Sequence, residues 1–131
     1  MEEDHTMNAR AVDFVCYNVS DMKMALGFYR DALGLSLESM HEEIWAEFSV
    51  GAVSLALCGP PWATPPQPGY QGGATVALAV EDVRASVAEL RAKGVSILED
   101  TMDTPVCLMA IVADPDGNRL WLHQRKDGTC G

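Results

Sequence analysis

The sequence predicts an α+β fold in which two βαβββ modules form curved mixed sheets around a cavity. Three observations support this prediction. The order strand, helix, three strands occurs twice in the chain, and in both halves the helix ends at a glycine, Gly34 or Gly94. A segment containing five of the seven prolines, residues 59–73, separates the two halves.

The first half begins with a predicted strand over residues 11–19, which are rich in Val, Phe, Cys and Tyr. Ser20 and Asp21 then offer an N-cap for a helix that Gly34 ends. The apolar face of that helix follows from residues at helical spacing, namely Met22, Ala25, Leu26, Tyr29 and Leu33. Three short strands are predicted next, over residues 35–41, 44–50 and 53–58.

The second half repeats this order. An apolar strand over residues 74–80 leads to an N-cap at Glu81 and Asp82, and an amphipathic helix follows that ends at Gly94. Three further strands are predicted over residues 95–98, 106–113 and 118–124. The turn between the last two strands is Asp114-Pro115-Asp116-Gly117.

This duplication defines the predicted domain organisation. A single domain is expected over residues 10–125, between a flexible acidic tail at 1–9 and a C-terminal tail at 126–131. Within it, module one covers 10–58, the proline-rich connector 59–73 and module two 74–125. The connector is expected to be extended and semi-rigid, because proline restricts the backbone.

Composition excludes several classes of function. The chain has 131 residues, with 19 Asp and Glu against 9 Lys and Arg, so its formal net charge is −10. This balance argues against nucleic acid and anionic membrane surfaces as partners, and it weakly favours a cationic ligand. The acidic N-terminus does not resemble a secretory signal, and the four cysteines are scattered without a C-x-x-C pair. A cytoplasmic protein with reduced thiols is therefore expected.

Several motifs resemble the vicinal oxygen chelate superfamily, which includes glyoxalases, bleomycin resistance proteins and extradiol dioxygenases. The first motif is the run from Asn18 to Met22, followed by Phe28-Tyr29 and Leu33-Gly34-Leu35. In the second half the similar segments are Val80-Glu81-Asp82-Val83, Lys93-Gly94-Val95 and Asp114-Pro115-Asp116-Gly117-Asn118. The resemblance covers about residues 9–125. It implies the predicted fold and a homodimer in which both chains often complete each cavity.

The resemblance also implies where a metal would be held. Enzymes of the superfamily usually bind one divalent metal through a His, Gln or Glu on the first strand of each module and a Glu or His on its last strand. Counted from the motifs, the four positions carry Phe14, Ala56, Thr75 and Trp121. Phe and Ala have no ligand atom, Trp offers only an N–H donor, and a lone Thr hydroxyl is a poor ligand. We therefore expect no metal, no other cofactor and no assigned catalytic residue.

A relocated site is the alternative. His123 lies two residues after Trp121 on the same strand face, and Glu47 follows Trp45 on another strand. Such a pair can bind a metal or transfer a proton. The protein would then be a lyase, isomerase or dioxygenase with a relocated or absent metal. In the opposing interpretation, the histidine and the carboxylate are both solvated and have no joint role.

Strand alternation predicts which side chains line the cavity. They combine aromatic walls, small residues that leave space and a few polar groups: Phe14, Cys16, Asn18, Trp45, Glu47, Ser54, Ala56, Thr75, Ala77, Arg119, Trp121 and His123. This lining is typical of a site for an apolar or aromatic small molecule. The first hypothesis is a metal-free protein that sequesters an aromatic or cationic compound. Packed core without a ligand, with function through protein contacts, stays open as another interpretation.

Overall fold

The computed structural model describes residues 7, 10–63 and 74–130 of the chain. Strands β1 to β4 belong to the first half, and the first helix, α1, continues directly into a π-helical segment. The second half contains β5, α2 and β6 to β8. In chain order the bounds are β1 Phe14–Asn18, α1 Met22–Leu26, the π-helix Gly27–Ala32, β2 Ser36–His41, β3 Trp45–Val50, β4 Val53–Cys58, β5 Val76–Ala79, α2 Val83–Ala92, β6 Ser96–Asp103, β7 Cys107–Ala113 and β8 Arg119–Arg125.

The eight strands form two mixed sheets of four strands with the same topology. Sheet 1 has the order β1-β4-β3-β2, and sheet 2 has the order β5-β8-β7-β6. In each sheet the first strand runs parallel to the last, while the other neighbours are antiparallel. The predicted repeat of two βαβββ modules is therefore confirmed.

The largest differences from the sequence prediction concern two elements. The first helix changes to π-helical pairing at Gly27, which periodicity does not reveal because the apolar face continues to Tyr29. Strand β6 extends to Asp103, well beyond the predicted end at residue 98. The additional residues include acidic side chains, which are uncommon in strands. They nevertheless pair with β7, and the pairing of the whole strand is interrupted by two register shifts. Charged residues are tolerated there because β6 is an edge strand of sheet 2.

One face of each sheet is covered by its helix. Tyr17 and Val19 at the end of β1 are buried beside α1, because strand alternation directs them to the face opposite Cys16 and Asn18. Both halves contribute to one apolar cluster, with Phe48 and Leu57 from sheet 1 and Leu122 from sheet 2. We call the opposite face of each sheet, which the helices do not cover, its open face.

Hydrogen bonds join the two modules. The Tyr29 hydroxyl donates to Asp114 Oδ2 across 2.8 Å, and the Asn118 side-chain amide donates to the Asn18 carbonyl oxygen across 2.9 Å. The Tyr17 hydroxyl donates to the Arg119 carbonyl oxygen, 2.7 Å away. The predicted Asp-Pro-Asp-Gly turn thus also connects module two to module one.

Two glycines near the first helix allow a paired test of backbone conformation. Gly34 has a φ of 74°, which L-residues rarely adopt, whereas Gly27 is helical with a φ of −58°. A Cβ at either position meets no atom within 4 Å. We expect Gly34→Ala to lower the free energy of unfolding by about 1–2 kcal/mol. Gly27→Ala is expected to raise it by up to about 1 kcal/mol. Urea denaturation of both variants measures this, and equal shifts of the same sign would contradict the conformational explanation.

Candidate open-face site

The predicted lining residues of module one lie on the open face of sheet 1. The register places Cys16 beside Ala56, and Ala56 beside Glu47. In the row on one side of Ala56, Phe14 lies beside Ser54. In the row on the other side, Cys58 lies between Asn18 and Trp45. The structure therefore brings these predicted residues together on one surface.

An aromatic pair covers the middle of this surface. The rings of Phe14 and Trp45 meet edge to face with centroids 5.3 Å apart. Their rows flank the row of Ala56, so the two side chains approach each other diagonally across it. Ala56 is completely buried, whereas Phe14 keeps 43% of its surface exposed. In this arrangement the space beside Ala56 is occupied by the aromatic pair.

On the open face of sheet 2 the large side chains lie on the last strand of the module and the small ones on the first, which is the reverse of sheet 1. Strand β8 carries large side chains at alternate positions, and we call the first three of them the β8 ridge: Arg119, Trp121 and His123. The register places Ala77 beside Trp121 and Ala79 beside His123, and Thr75 precedes β5 in the same alternation. We call Thr75, Ala77 and Ala79 the small-residue trough. All three trough residues are exposed, and Trp121 is 38% exposed.

Two lining residues on the other side of the ridge were not predicted. The register pairs Ile111 with Trp121 and Met109 with His123, so both contribute apolar surface to the open face. Strand alternation along the predicted strand 106–113 could have identified both residues, because it places Met109 and Ile111 on the face opposite the buried Ala110 and Val112.

The open faces offer little for a metal ion. Across the described ranges, no three His, Cys, Asp or Glu side chains form a group that can hold one. Glu47 lies on β3 of sheet 1 and His123 on β8 of sheet 2, so the two residues of the alternative site belong to different sheets. The four positions that the resemblance assigns to ligands all lie on open faces, where they carry Phe14, Ala56, Thr75 and Trp121.

The cysteines are free thiols, and two of those in the described ranges, Cys58 and Cys107, are buried. Cys16, by contrast, lies on the open face of sheet 1 and is exposed. Partial burial, and secondarily the neighbouring Cys58, raise the pKa of the Cys16 thiol to about 11. A thiol that is protonated near neutral pH is a poor nucleophile.

The raised pKa of Cys16 predicts slow alkylation. In a Cys130→Ser background, which removes the other exposed thiol, only about 0.1% of Cys16 is expected to be thiolate at pH 8. The rate of reaction with iodoacetamide should therefore rise about tenfold per pH unit between pH 8 and 10. Mass spectrometry of the alkylated peptide measures this rate. A rate that already levels off near pH 8 would indicate an activated thiol.

No described helix is long and apolar enough to cross a membrane. The family model of the Glyoxalase/Bleomycin resistance protein/Dioxygenase superfamily matches residues 5–122. No curated protein sequence matches the chain significantly.

Solved structures with the same fold include both binding proteins and enzymes. SMU.1112c is 29% identical, with a TM-score of 0.73 over 88% of this chain and 99% of the other. TnmS3, an antibiotic binding protein from Streptomyces sp. CB03234, is 26% identical, with a TM-score of 0.69 over 92% and 100%. Lactoylglutathione lyase from Agrobacterium tumefaciens is 20% identical, with a TM-score of 0.70 over 90% and 96%, a likeness that concerns the fold alone.

Proposed function

Because the chain belongs to the Glyoxalase/Bleomycin resistance protein/Dioxygenase superfamily, we propose that it is a metal-free small-molecule-binding protein. It sequesters an aromatic or cationic compound on its open faces. The residues at the four ligand positions support a metal-free site, since Phe14, Ala56 and Trp121 offer no lone pair suited to a divalent ion.

The observation that carries this proposal is the exposed Trp121 beside the small-residue trough. An indole ring at 38% exposure on an uncovered sheet face is a large apolar surface in contact with water. Ala77 and Ala79 leave space next to the ridge that an aromatic ring can fill by stacking on Trp121. TnmS3, which is similar over nearly the whole chain, is described as an antibiotic binding protein, and this likeness supports the same class of activity here.

A second copy of the chain is the proposed cover for the open faces. Phe14 on the open face of sheet 1 and Trp121 on the open face of sheet 2 are large apolar side chains that are each more than a third exposed. Large apolar side chains left exposed on an uncovered sheet face are typical of an interface. In a homodimer each ligand would then lie between the open faces of two chains, as the family resemblance implies.

Fluorescence titration tests the binding proposal. Addition of aromatic and cationic antibiotics to purified protein is expected to quench or blue-shift tryptophan emission, because a ligand on the trough contacts Trp121. The Trp121→Phe variant retains the other two tryptophans and should lose most of this signal. No spectral change with any compound would overturn the proposal.

Elemental analysis tests the metal-free state separately. We expect purified protein to contain no stoichiometric divalent metal, and added Zn²⁺, Mn²⁺ or Fe²⁺ to leave ligand affinity unchanged. One equivalent of tightly bound metal per chain would instead favour the lyase, isomerase or dioxygenase alternative.

A further inference from the structure

We propose that the bound compound is an elongated multi-ring molecule whose acidic or hydrogen-bond-accepting substituents face Arg119 and His123. This inference rests on the proposed function and specifies the chemistry of its ligand. Of the two proposed ligand classes it selects the aromatic one, because the cationic one followed from the net charge alone.

The length of the ligand follows from the spacing of the β8 ridge. Arg119, Trp121 and His123 point to the same face because they alternate along one strand. A strand rises about 3.3 Å per residue, so the ridge extends about 13 Å from Arg119 to His123. Three fused aromatic rings lying along the trough beside Trp121 span a comparable distance, which places their two ends near the two polar side chains.

The donor chemistry of the ridge determines which substituents it can bind. A guanidinium has only donors, an indole has one N–H donor, and imidazole can donate from at least one ring nitrogen. Within the described ranges, none of these three side chains has a hydrogen bond or an ion pair to the protein. Carbonyl, phenolate or carboxylate oxygens on the ligand would satisfy them, and a guanidinium pairs especially well with a carboxylate.

The charge of the open face differs from the charge of the whole chain. Besides Arg119, alternation along β8 places Arg125 on this face. The register places the carboxylate of Glu99 there too, but on the outer strand β6, two strands away from the ridge. Asp103, by contrast, forms ion pairs with Arg84 on α2 and with Lys126. A ligand in the trough therefore meets a locally cationic ridge despite the net charge of −10.

The corresponding strand of module one lacks this character. In module one Ala56 pairs with Cys16, and in module two Trp121 pairs with Ala77, so Ala56 is the equivalent of Trp121. The three positions equivalent to the ridge are therefore Ser54, Ala56 and Cys58. They carry no cation, and the aromatic pair occupies the space beside them. Discrimination between anionic and cationic ligands is thus a property of sheet 2.

Two tricyclic probes of similar size and opposite charge test this inference. Anthraquinone-2-carboxylate and 9-aminoacridinium are titrated into the full chain at 50 mM salt, and binding is followed by calorimetry. We expect the carboxylate to bind at least about tenfold more tightly, because a hydrogen bond between charged groups contributes that much. Arg119→Gln should remove this preference, and Arg119→Lys should retain part of it.

The matched control is Arg84→Gln. It removes the same charge from the exposed surface of α2, away from the open face, and should change either affinity less than twofold. Preference for 9-aminoacridinium, or equal effects of Arg119→Gln and Arg84→Gln, would overturn the inference and leave the binding function standing. Failure of both probes and of the antibiotics to bind the unmodified protein would overturn the proposed function as well.

Discussion

Asp114→Asn is expected to lower the free energy of unfolding by about 3 kcal/mol. Asp114 is 4% exposed and accepts four hydrogen bonds. Its Oδ1 accepts from the backbone N–H groups of Asp116 and Asn118, and its Oδ2 accepts from the Tyr29 hydroxyl and the Asn118 amide. Burial raises the pKa of Asp114, an effect that the donors from Asn118, Tyr29 and Asp116 oppose. In asparagine an NH₂ group would replace one of the two carboxylate oxygens, and it would face the two N–H or O–H donors from which this oxygen now accepts.

Asp116→Asn is the matched control for this substitution. Asp116 lies in the same turn but is half-buried, and among the described residues its side chain accepts one hydrogen bond, from the Ser20 N–H to Oδ2 at 3.1 Å. A loss below about 1 kcal/mol is expected there. Urea denaturation monitored by circular dichroism compares the two variants. Equal destabilisation by both would show that Asp114 does not connect the modules in the way its four hydrogen bonds indicate.

Ala77→Trp is expected to weaken ligand binding by at least about 100-fold, because an added indole fills the trough beside Trp121. The loss is expected in affinity rather than in stability, since Ala77 is exposed and its side chain points away from the core. The free energy of unfolding should change by less than about 0.5 kcal/mol. Titration with whichever aromatic compound binds the unmodified protein measures the effect.

Ala85→Trp supplies the control, because Ala85 is exposed on α2, on the other side of sheet 2. It adds the same side chain without approaching the trough and should leave affinity within about twofold. If Ala77→Trp binds ligand as well as Ala85→Trp does, the compound does not occupy the trough.

Much of the fold follows from local signals in the sequence. Asp21 and Asp82 cap their helices through hydrogen bonds to Met24 and Ala85, and the residues after each helix include a glycine with positive φ. These short-range patterns are readable because each depends on a few neighbouring residues. The duplication then fixes the order of elements for both halves.

The contacts that determine the candidate site are less accessible to sequence reasoning. Tyr29 is predicted as a core residue, but its partner Asp114 is 85 positions away, and the Asp-Pro-Asp-Gly motif predicts only a turn. Strand alternation likewise places Phe14 and Trp45 on the open face without showing that their rings meet. The net charge points towards a cationic ligand because it sums over the whole chain, whereas the ridge is defined by one strand.

Nuclear magnetic resonance of the alanine and threonine methyl groups tests the central claim most directly. An aromatic ligand is added to chelator-treated protein labelled at these methyls. We predict large shifts for Thr75, Ala77 and Ala79, because ring currents act over a few ångströms, and little change at Ala85 on α2. Shifts without a metal ion at the trough alone would support a metal-free binding protein. Shifts that require added metal, or that spare the trough while other methyls move, would contradict it.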